Sequence, residues 1–250
     1  MNAIILAAGM GTRLRPLTDD RPKVLVEVAG ESFFARQIRQ LRSAGVAPIT
    51  VITGYRAEAF RRWAGEADIE FVHNDHFDDR NNIWSMRLVG DRLGDTIVLD
   101  GDLRLADGVI PAAPPAQSSW YVGWRDSMQG EWVVRCDESG RVHRIDVAGG
   151  SGWILTGLSY WNAEDGALIA RRLSERVSGT GWEGLYWDEI PRSALDLITV
   201  HAVHIPDGSW VEIDSLEDKA TFERSLADSS GAPSAAGPGP SALDRGTGRT

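Results

Sequence analysis

Cysteine is nearly missing from this sequence: Cys136 stands alone. An intrachain disulfide is therefore excluded, and so is a structural zinc site built from clustered cysteines. A reducing, cytoplasmic compartment is the expected setting. The five histidines show no metal-ligand spacing, and His73 and His76, flanking an expected loop, read as ordinary polar residues. No run approaches the ~20 apolar residues needed to span a bilayer. The apolar stretch Ala3–Ala8 follows Met1 without a basic segment and enters a glycine loop, unlike a secretory leader. Basic residues are outnumbered 26 to 36, for a formal net charge of −10. Such an excess ill suits nucleic acid or an anionic membrane as a partner, whereas a small phosphorylated ligand feels only its local site. Lysine is the scarcest cation, with only Lys23 and Lys219 among many arginines. A lysine that survives in such a chain is a candidate for work that needs an ammonium. Lys219, within a polar helical stretch, reads as ordinary.

What is present alternates strand and helix patterns. Ala3–Ala8 is a short continuous apolar run, as in a strand covered on both faces. Ser32 can cap a helix carrying Phe33, Phe34, Ile38 and Leu41, which Gly45 ends. Ile49–Thr53, Ile69–Val72 and Thr96–Asp100 read as further strands, with helices over Ala57–Trp63 and Asn82–Leu93. The expected fold is α/β, a mostly parallel central sheet flanked by helices. Beyond it, Ser119–Trp124, Glu131–Cys136, Arg141–Val147 and Trp153–Tyr160 read as shorter strands of a smaller β-rich portion, with a hairpin turn at Asp137–Gly140. A helix over Ala163–Val177, a strand over Trp210–Ile213 and a last helix opened by Ser215 and Asp218 complete the pattern. Residues 1–228 are expected to form one domain, with a nucleotide-binding half (1–110) and an acceptor-binding half (111–228). Residues 229–250 are rich in Gly, Pro, Ser and Ala, and a disordered tail is the expectation there.

The first strand runs into Gly9-Met-Gly-Thr-Arg-Leu-Arg-Pro-Leu-Thr18, followed by Pro22-Lys23. Glycines after a buried strand let backbone N–H groups approach phosphates. The dinucleotide fingerprint would need a glycine where Leu14 stands, which disfavours a nicotinamide-dependent oxidoreductase. A Walker loop would need Gly-Lys-Ser/Thr after Gly11. Instead the loop carries Thr12, Arg13 and Arg15, with Lys23 ten residues beyond Arg13. Cations around a glycine turn are what a triphosphate requires.

This segment resembles the signature of nucleotidylyltransferases of the sugar-phosphate and choline-phosphate type. The resemblance implies a Rossmann-like nucleotidyltransferase fold. It implies that Leu6, Ala7, Ala8, Gly9, Gly11 and Thr12 hold the nucleotide, with Arg13 and Lys23 neutralising the triphosphate and the transition state. Asp102 follows the apolar strand Ile97–Leu99, and Asp214 ends the later one. Both match the family's metal positions, and their hard carboxylate oxygens suit Mg²⁺. The implied reaction is in-line attack of an acceptor phosphate or phosphonate oxygen on the α-phosphorus of an NTP, with pyrophosphate leaving. A phosphate monoester is already largely dianionic near neutrality, so no general base is required, in keeping with the lack of a His or Ser nucleophile motif.

The acceptor half carries Glu131-Trp132, Leu185-Tyr-Trp-Asp188 and Trp210-Val-Glu-Ile-Asp214. Aromatic faces with acids suit an alkylammonium group, although tryptophan more often packs a core. With Asn81-Asn-Ile-Trp-Ser85, these segments resemble bacterial choline-phosphate and 2-aminoethylphosphonate cytidylyltransferases. That resemblance implies CTP as donor, with Asn81, Asn82 or Ser85 near the base. It places Glu131, Trp132, Trp187, Asp188 and Glu212 around the amine of a small phosphorylated amine or phosphonate. The residues leave phosphocholine and aminoethylphosphonate both open. A sugar-1-phosphate nucleotidylyltransferase would keep the loop and metal residues, but Arg144–Gly149 lacks that branch's Glu-Lys-Pro segment. A non-catalytic nucleotide-binding module is the other alternative, argued against by the presence of Arg13, Lys23 and both aspartates.

Overall fold

The computed structural model describes the backbone of residues 1–231 and side chains through Asp228. Its strands are β1 (Asn2–Ala7), β2 (Glu27–Val28), β3 (Glu31–Ser32), β4 (Ile49–Thr53), β5 (Ile69–His73), β6 (Thr96–Asp100), β7 (Leu103–Leu105), β8 (Ser118–Cys136), β9 (Val142–Trp161), β10 (Val200–His204) and β11 (Trp210–Glu212). The helices are α1 (Phe33–Ser43), α2 (Asn82–Leu88), α3 (Ala163–Val177), α4 (Glu189–Arg192) and α5 (Leu216–Gly231). One seven-stranded sheet runs in the order β10-β8-β9-β6-β1-β4-β5. β6, β1, β4 and β5 are parallel, while β9 lies antiparallel to both β6 and β8. The expected mostly parallel α/β sheet is therefore present. Among the described residues no helix is long and apolar enough to cross a membrane.

The continuous apolar runs have a simple cause. Alternate residues of each central strand enter two different cores. Ala3, Ile5 and Ala7 of β1 join Ile49, Val51, Ile97 and Leu99 on one face, covered by Phe34, Ile38 and Leu41 of α1. Ile4, Ile52 and Val98 face the other way, toward Ile83 and Met86 of α2 and Ile169 and Leu173 of α3. A strand buried on both faces admits few polar side chains, and those of β4 are threonines, Thr50 accepting from Arg92 at 2.8 Å.

Helix α1 begins as its sequence predicts: the Ser32 hydroxyl accepts from the Ala35 N–H at 3.2 Å. Ser215 and Asp218 likewise cap α5 reciprocally, at 2.8 and 3.1 Å. The helix expected over Ala57–Trp63 is present as a 3-10 helix. Two expectations need correction. The helix expected over Asn82–Leu93 stops at Leu88, a 3-10 turn following over Gly90–Arg92. The four short strands of the second half are two long ones, because pairing between β8 and β9 persists through a series of register shifts. Polar, glycine-rich interruptions at 126–131 and 148–152 look like breaks in sequence but are accommodated as bulges. Strand β10, an edge strand parallel to β8, was not anticipated. Helix α5 continues to Gly231, past Ser229 where the tail was expected to start; the rest of that expectation lies outside the described residues.

Candidate active site

Open α/β sheets bind ligands beyond the carboxyl ends of their parallel strands. Here the ends of β1, β6 and β11 and the segments after β5 surround a cleft of about 730 Å³. Every candidate residue named from sequence lines this one cleft. That includes the loop residues Leu6, Ala7, Ala8, Gly9, Gly11 and Thr12, with Arg13, Lys23, Asn81, Asn82, Ser85, Asp102 and Asp214. It also includes Glu131, Trp132, Trp187, Asp188 and Glu212 of the acceptor half.

The glycine loop is shaped by two close approaches. Gly11 has φ +60°, a left-handed conformation that favours glycine, and its carbonyl accepts from the Thr18 hydroxyl at 2.9 Å. A Cβ there would lie 2.7 Å from Lys23 Cβ, so the bare α-carbon lets the Lys23 stem cross the loop. Lys23 is consequently almost buried, with an exposure of 9%. Its ammonium donates to Asp102 Oδ2 at 2.7 Å and to Asp214 Oδ1 at 2.5 Å. Burial opposes the charge on Lys23, but the two carboxylates more than offset this and hold its pKa above the ordinary lysine value. Burial also works against the Asp214 carboxylate, and Lys23 with Arg13 overcomes it, holding Asp214 below the usual range. Arg13 reaches the same Asp214 oxygen at 3.0 Å while remaining exposed. Asp102 and Asp214 thus converge from distant strands on one cationic point. Their hard carboxylate oxygens are of the donor type that a divalent metal ion takes. Among the described residues no closed cage of three or more ligands forms.

The Asp100–Asp102 turn is pinned from behind. Gly101 donates to the Leu6 carbonyl at 3.0 Å, and a Cβ on Gly101 would sit 2.5 Å from that oxygen. The Gln37 amide of α1 donates to the carbonyls of both Asp100 and Leu103, each at 2.9 Å. Gln37 was not legible as functional; a glutamine on the apolar face of an amphipathic helix was the available signal.

A second acidic group lines the floor. Asp100, Asp188 and Glu212 are partly open to the cleft and enclosed by protein on their other sides. None of the three makes a salt bridge among the described residues. Burial, then the neighbouring acids Asp102, Asp188 and Glu212, pushes Asp100 well above the carboxylate range. Burial raises Asp188 to about 7 and, with help from Asp102, Glu212 to about 8. Gly157, at φ +81°, leaves room for Asp100; a Cβ there would meet its Oδ2 at 2.6 Å. The buried Trp120 indole nitrogen finds no full hydrogen bond within the protein, yet lies close enough to Asp188 to lower its pKa. Asp100 and Trp120 join the site without having been singled out from sequence.

The aromatic residues are largely built into the wall. Trp187 is 2% exposed and sits edge-on to Trp161, with ring centroids 5.9 Å apart. Its N–H donates to Asn82 Oδ1 at 2.8 Å. Trp132 meets Tyr186 edge-on, and the Arg192 guanidinium lies 5.2 Å from its ring centre. The polar residues expected near the base also have partners. Asn81 donates to the Gly184 carbonyl at 3.1 Å, and the Ser85 hydroxyl accepts from Asn74 at 3.0 Å.

Comparison with known proteins agrees with this geometry. Residues 3–96 match the model of the MobA-like NTP transferase domain. The choline-phosphate cytidylyltransferase of Streptococcus pneumoniae is 32% identical over 226 residues, covering 90% of this chain and 98% of that one. The 2-aminoethylphosphonate cytidylyltransferase of Lancefieldella rimae is 32% identical over 228 residues, covering 89% and 92%. A solved structure of the CTP:phosphocholine cytidylyltransferase from Streptococcus pneumoniae superposes with a TM-score of 0.86, at 32% identity over 90% of this chain and 98% of that one. With likeness sustained over nearly the whole length of each, this chain belongs to the nucleotidyltransferase family, in the company of its cytidylyltransferases.

Proposed function

We propose that this enzyme transfers CMP from CTP to a small phosphate or phosphonate that carries an amine, releasing pyrophosphate. The observation that carries the acceptor assignment is the set of three unpaired carboxylates, Asp100, Asp188 and Glu212, on the floor of an aromatic-walled cleft. Lys23 and Arg125 act on Asp100 and Glu212 only through space, and a partly desolvated acid cluster without a salt bridge is stabilised by a ligand that brings a cation into contact. An ammonium group a few bonds from a phosphate does so while its phosphate end lies toward Lys23 and Arg13. The names of the full-length relatives support the same reading.

The chemistry is a displacement at phosphorus. An acceptor oxygen forms a bond to the α-phosphorus as the bond to the bridging oxygen of pyrophosphate breaks, and the leaving group carries away the electron pair. Lys23 and Arg13 face the triphosphate and offset the charge that develops on it. The backbone of the glycine loop positions the nucleotide, and the acid floor positions the amine, so that two reactants are held in line. Enzymes of this family generally use a divalent metal ion. In this chain Asp102 and Asp214 would hold it as Mg²⁺, which supplies charge neutralisation at the phosphate oxygens.

The test is a pyrophosphate-release assay with CTP, UTP, ATP and GTP against phosphocholine, phosphoethanolamine, 2-aminoethylphosphonate and glucose-1-phosphate. CTP with an amine-bearing acceptor is expected to give the highest kcat/KM. Preference for glucose-1-phosphate would replace this reading with a sugar-phosphate one, and no turnover with any pair would overturn it.

A further inference from the structure

The cations lining the cleft are Arg13, Lys23 and Arg80. The first two point at the Asp102–Asp214 pair. Arg80 has a different setting. It follows β5, two residues before α2, on the wall where Asn81 and Asn82 are hydrogen-bonded to the Gly184–Trp187 segment. Its side chain is 23% exposed, and its one carboxylate neighbour, Asp79, is 3.9 Å away, at the outer limit of an ion pair. None of its guanidinium N–H groups donates a hydrogen bond among the described residues.

The group is nevertheless held. Its guanidinium carbon lies 4.5 Å from the centre of the Trp84 ring and 5.2 Å from that of Trp182. Those two indoles stack on one another, 5.4 Å apart at 19°. His76 meets Trp84 edge-on and extends the platform. Contact with two aromatic faces fixes a guanidinium without using its in-plane donors. The donors thus remain available on a cleft wall, and little entropy is lost when a ligand engages them. The neighbouring polar side chains make contacts within the protein: Asn81 donates to Gly184, Asn82 accepts from the Trp187 backbone, and Ser85 accepts from Asn74.

Resting on the cytidylyltransferase reading above, we infer that Arg80 reads the pyrimidine and sets the preference for CTP over UTP. The edge of cytosine offers two adjacent acceptors, O2 and N3, which match two parallel guanidinium N–H groups. Uracil keeps O2 but places an N–H at position 3, so one donor would face another. Such a mismatch leaves a polar group unpaired, and this is what makes hydrogen-bonding sites selective. The position agrees with the assignment. Arg80 lines the cleft beside Asn81 and Asn82, the residues expected near the base.

The experiment measures kcat/KM for CTP and UTP with wild type, Arg80→Lys and Arg80→Gln at saturating acceptor. Calorimetric titration of each protein with CTP and UTP alone accompanies it. Arg80→Gln is expected to lower kcat/KM for CTP by about 10- to 100-fold, on the scale of one lost bidentate base contact. UTP should change little, so the CTP/UTP ratio collapses in both turnover and binding while the acceptor KM stays put. Arg80→Lys should recover only part of the ratio, because a point charge lacks the fork. Near-ultraviolet circular dichroism of the Trp84–Trp182 pair and the melting temperature report whether the platform survives. An unchanged CTP/UTP ratio with the platform intact overturns the inference, as does a loss that falls on the acceptor KM instead. If wild type turns over no CTP with any amine-bearing acceptor, the function proposed above fails. Selective CTP binding that depends on Arg80 would still support the base contact in that event.

Discussion

The two sides of the sheet that share the cleft are built on different terms. Around the glycine loop, β1, β4 and β6 are short, paired in unbroken register and buried on both faces. On the other side, β8 and β9 run 19 and 20 residues and shift register repeatedly, with exposed stretches between the bulges. Parallel strand ends fixed by two cores give phosphate-handling groups one geometry. A bulged antiparallel ribbon can change side chains and curvature without disturbing those cores. The difference teaches how each part of the cleft is anchored. The glycine loop, Lys23 and the Asp100–Asp102 turn are tied to the doubly buried strands, whereas Glu131 and Trp132 stand on the bulged ribbon.

The strongest way to break the comparison is at Lys23, where packing and chemistry coincide. Lys23→Ala should lower kcat by about 100-fold or more, the scale of losing one preorganised charge contact. It also leaves Asp102 and Asp214 facing one another without their shared cation. A steady-state kcat near wild type would remove Lys23 from the reaction. Lys23→Arg should also be impaired, since a planar fork does not fit the place of an ammonium crossing Gly11.

Next in size is Gly11→Ala. It puts a Cβ against the Lys23 stem at a left-handed φ, a conformation costing non-glycine residues about 1 kcal/mol before any clash. We expect kcat/KM for the NTP to fall about tenfold or more, as misplacement of a catalytic group by a fraction of an ångström does. Retention of full kcat/KM would show that the loop does not set the position of Lys23.

Asp188→Asn tests the acceptor side and separates stability from function. Burial raises the Asp188 pKa from 3.8 to about 7, so the folded protein holds this proton more tightly than the unfolded chain. The sign follows: this group's penalty is absent below about pH 4, grows between pH 4 and 7 and is complete above that range. The asparagine variant should therefore gain on the order of 1–3 kcal/mol over wild type at pH 8. The gain should shrink toward pH 5, while kcat/KM falls more for a primary amine than for a quaternary one, because only the former donates N–H groups. Melting curves across pH 5–8 that stay parallel for the two proteins would contradict this.

The smallest effect should come from Gly150→Ala. Gly150 also has positive φ, +101°, but a Cβ there meets nothing within 4 Å. Backbone strain alone, about 1–2 kcal/mol, should lower the melting temperature by a few degrees and leave kcat for CTP unchanged. A loss of activity as large as that of Gly11→Ala would erase the distinction between the two regions.

Legibility followed the same division. Ala3–Ala8, Ile49–Thr53 and Thr96–Asp100 could be read because burial on both faces favours runs of apolar and β-branched residues, threonine among them. Ser32 and Ser215 could be read because caps are local chemistry. Asp102 and Asp214 were found through the glycine loop's resemblance, and the fold brings them to one ammonium although 112 positions separate them. The hairpin was misjudged because its glycine and polar interruptions look the same whether a strand ends or bulges. Asp100 was passed over because its role is set by Asp188 and Glu212, which only folding brings near it. Asn81 and Asn82 line the cleft, but sequence could not show that Gly184 and Trp187 would engage their side chains.

Gln37 has a practical consequence for anyone surveying variants of this enzyme. Its single amide ties the carbonyls on either side of the Asp100–Leu103 turn to helix α1, while its own carbonyl oxygen has no hydrogen-bond partner among the described residues. A defect there will look like a defect in catalysis, although the residue is 1% exposed and lines no part of the cleft. A survey that sorts variants by distance from the reacting phosphorus will file it among the bystanders. One that sorts them by what holds the loop will find it beside Asp102.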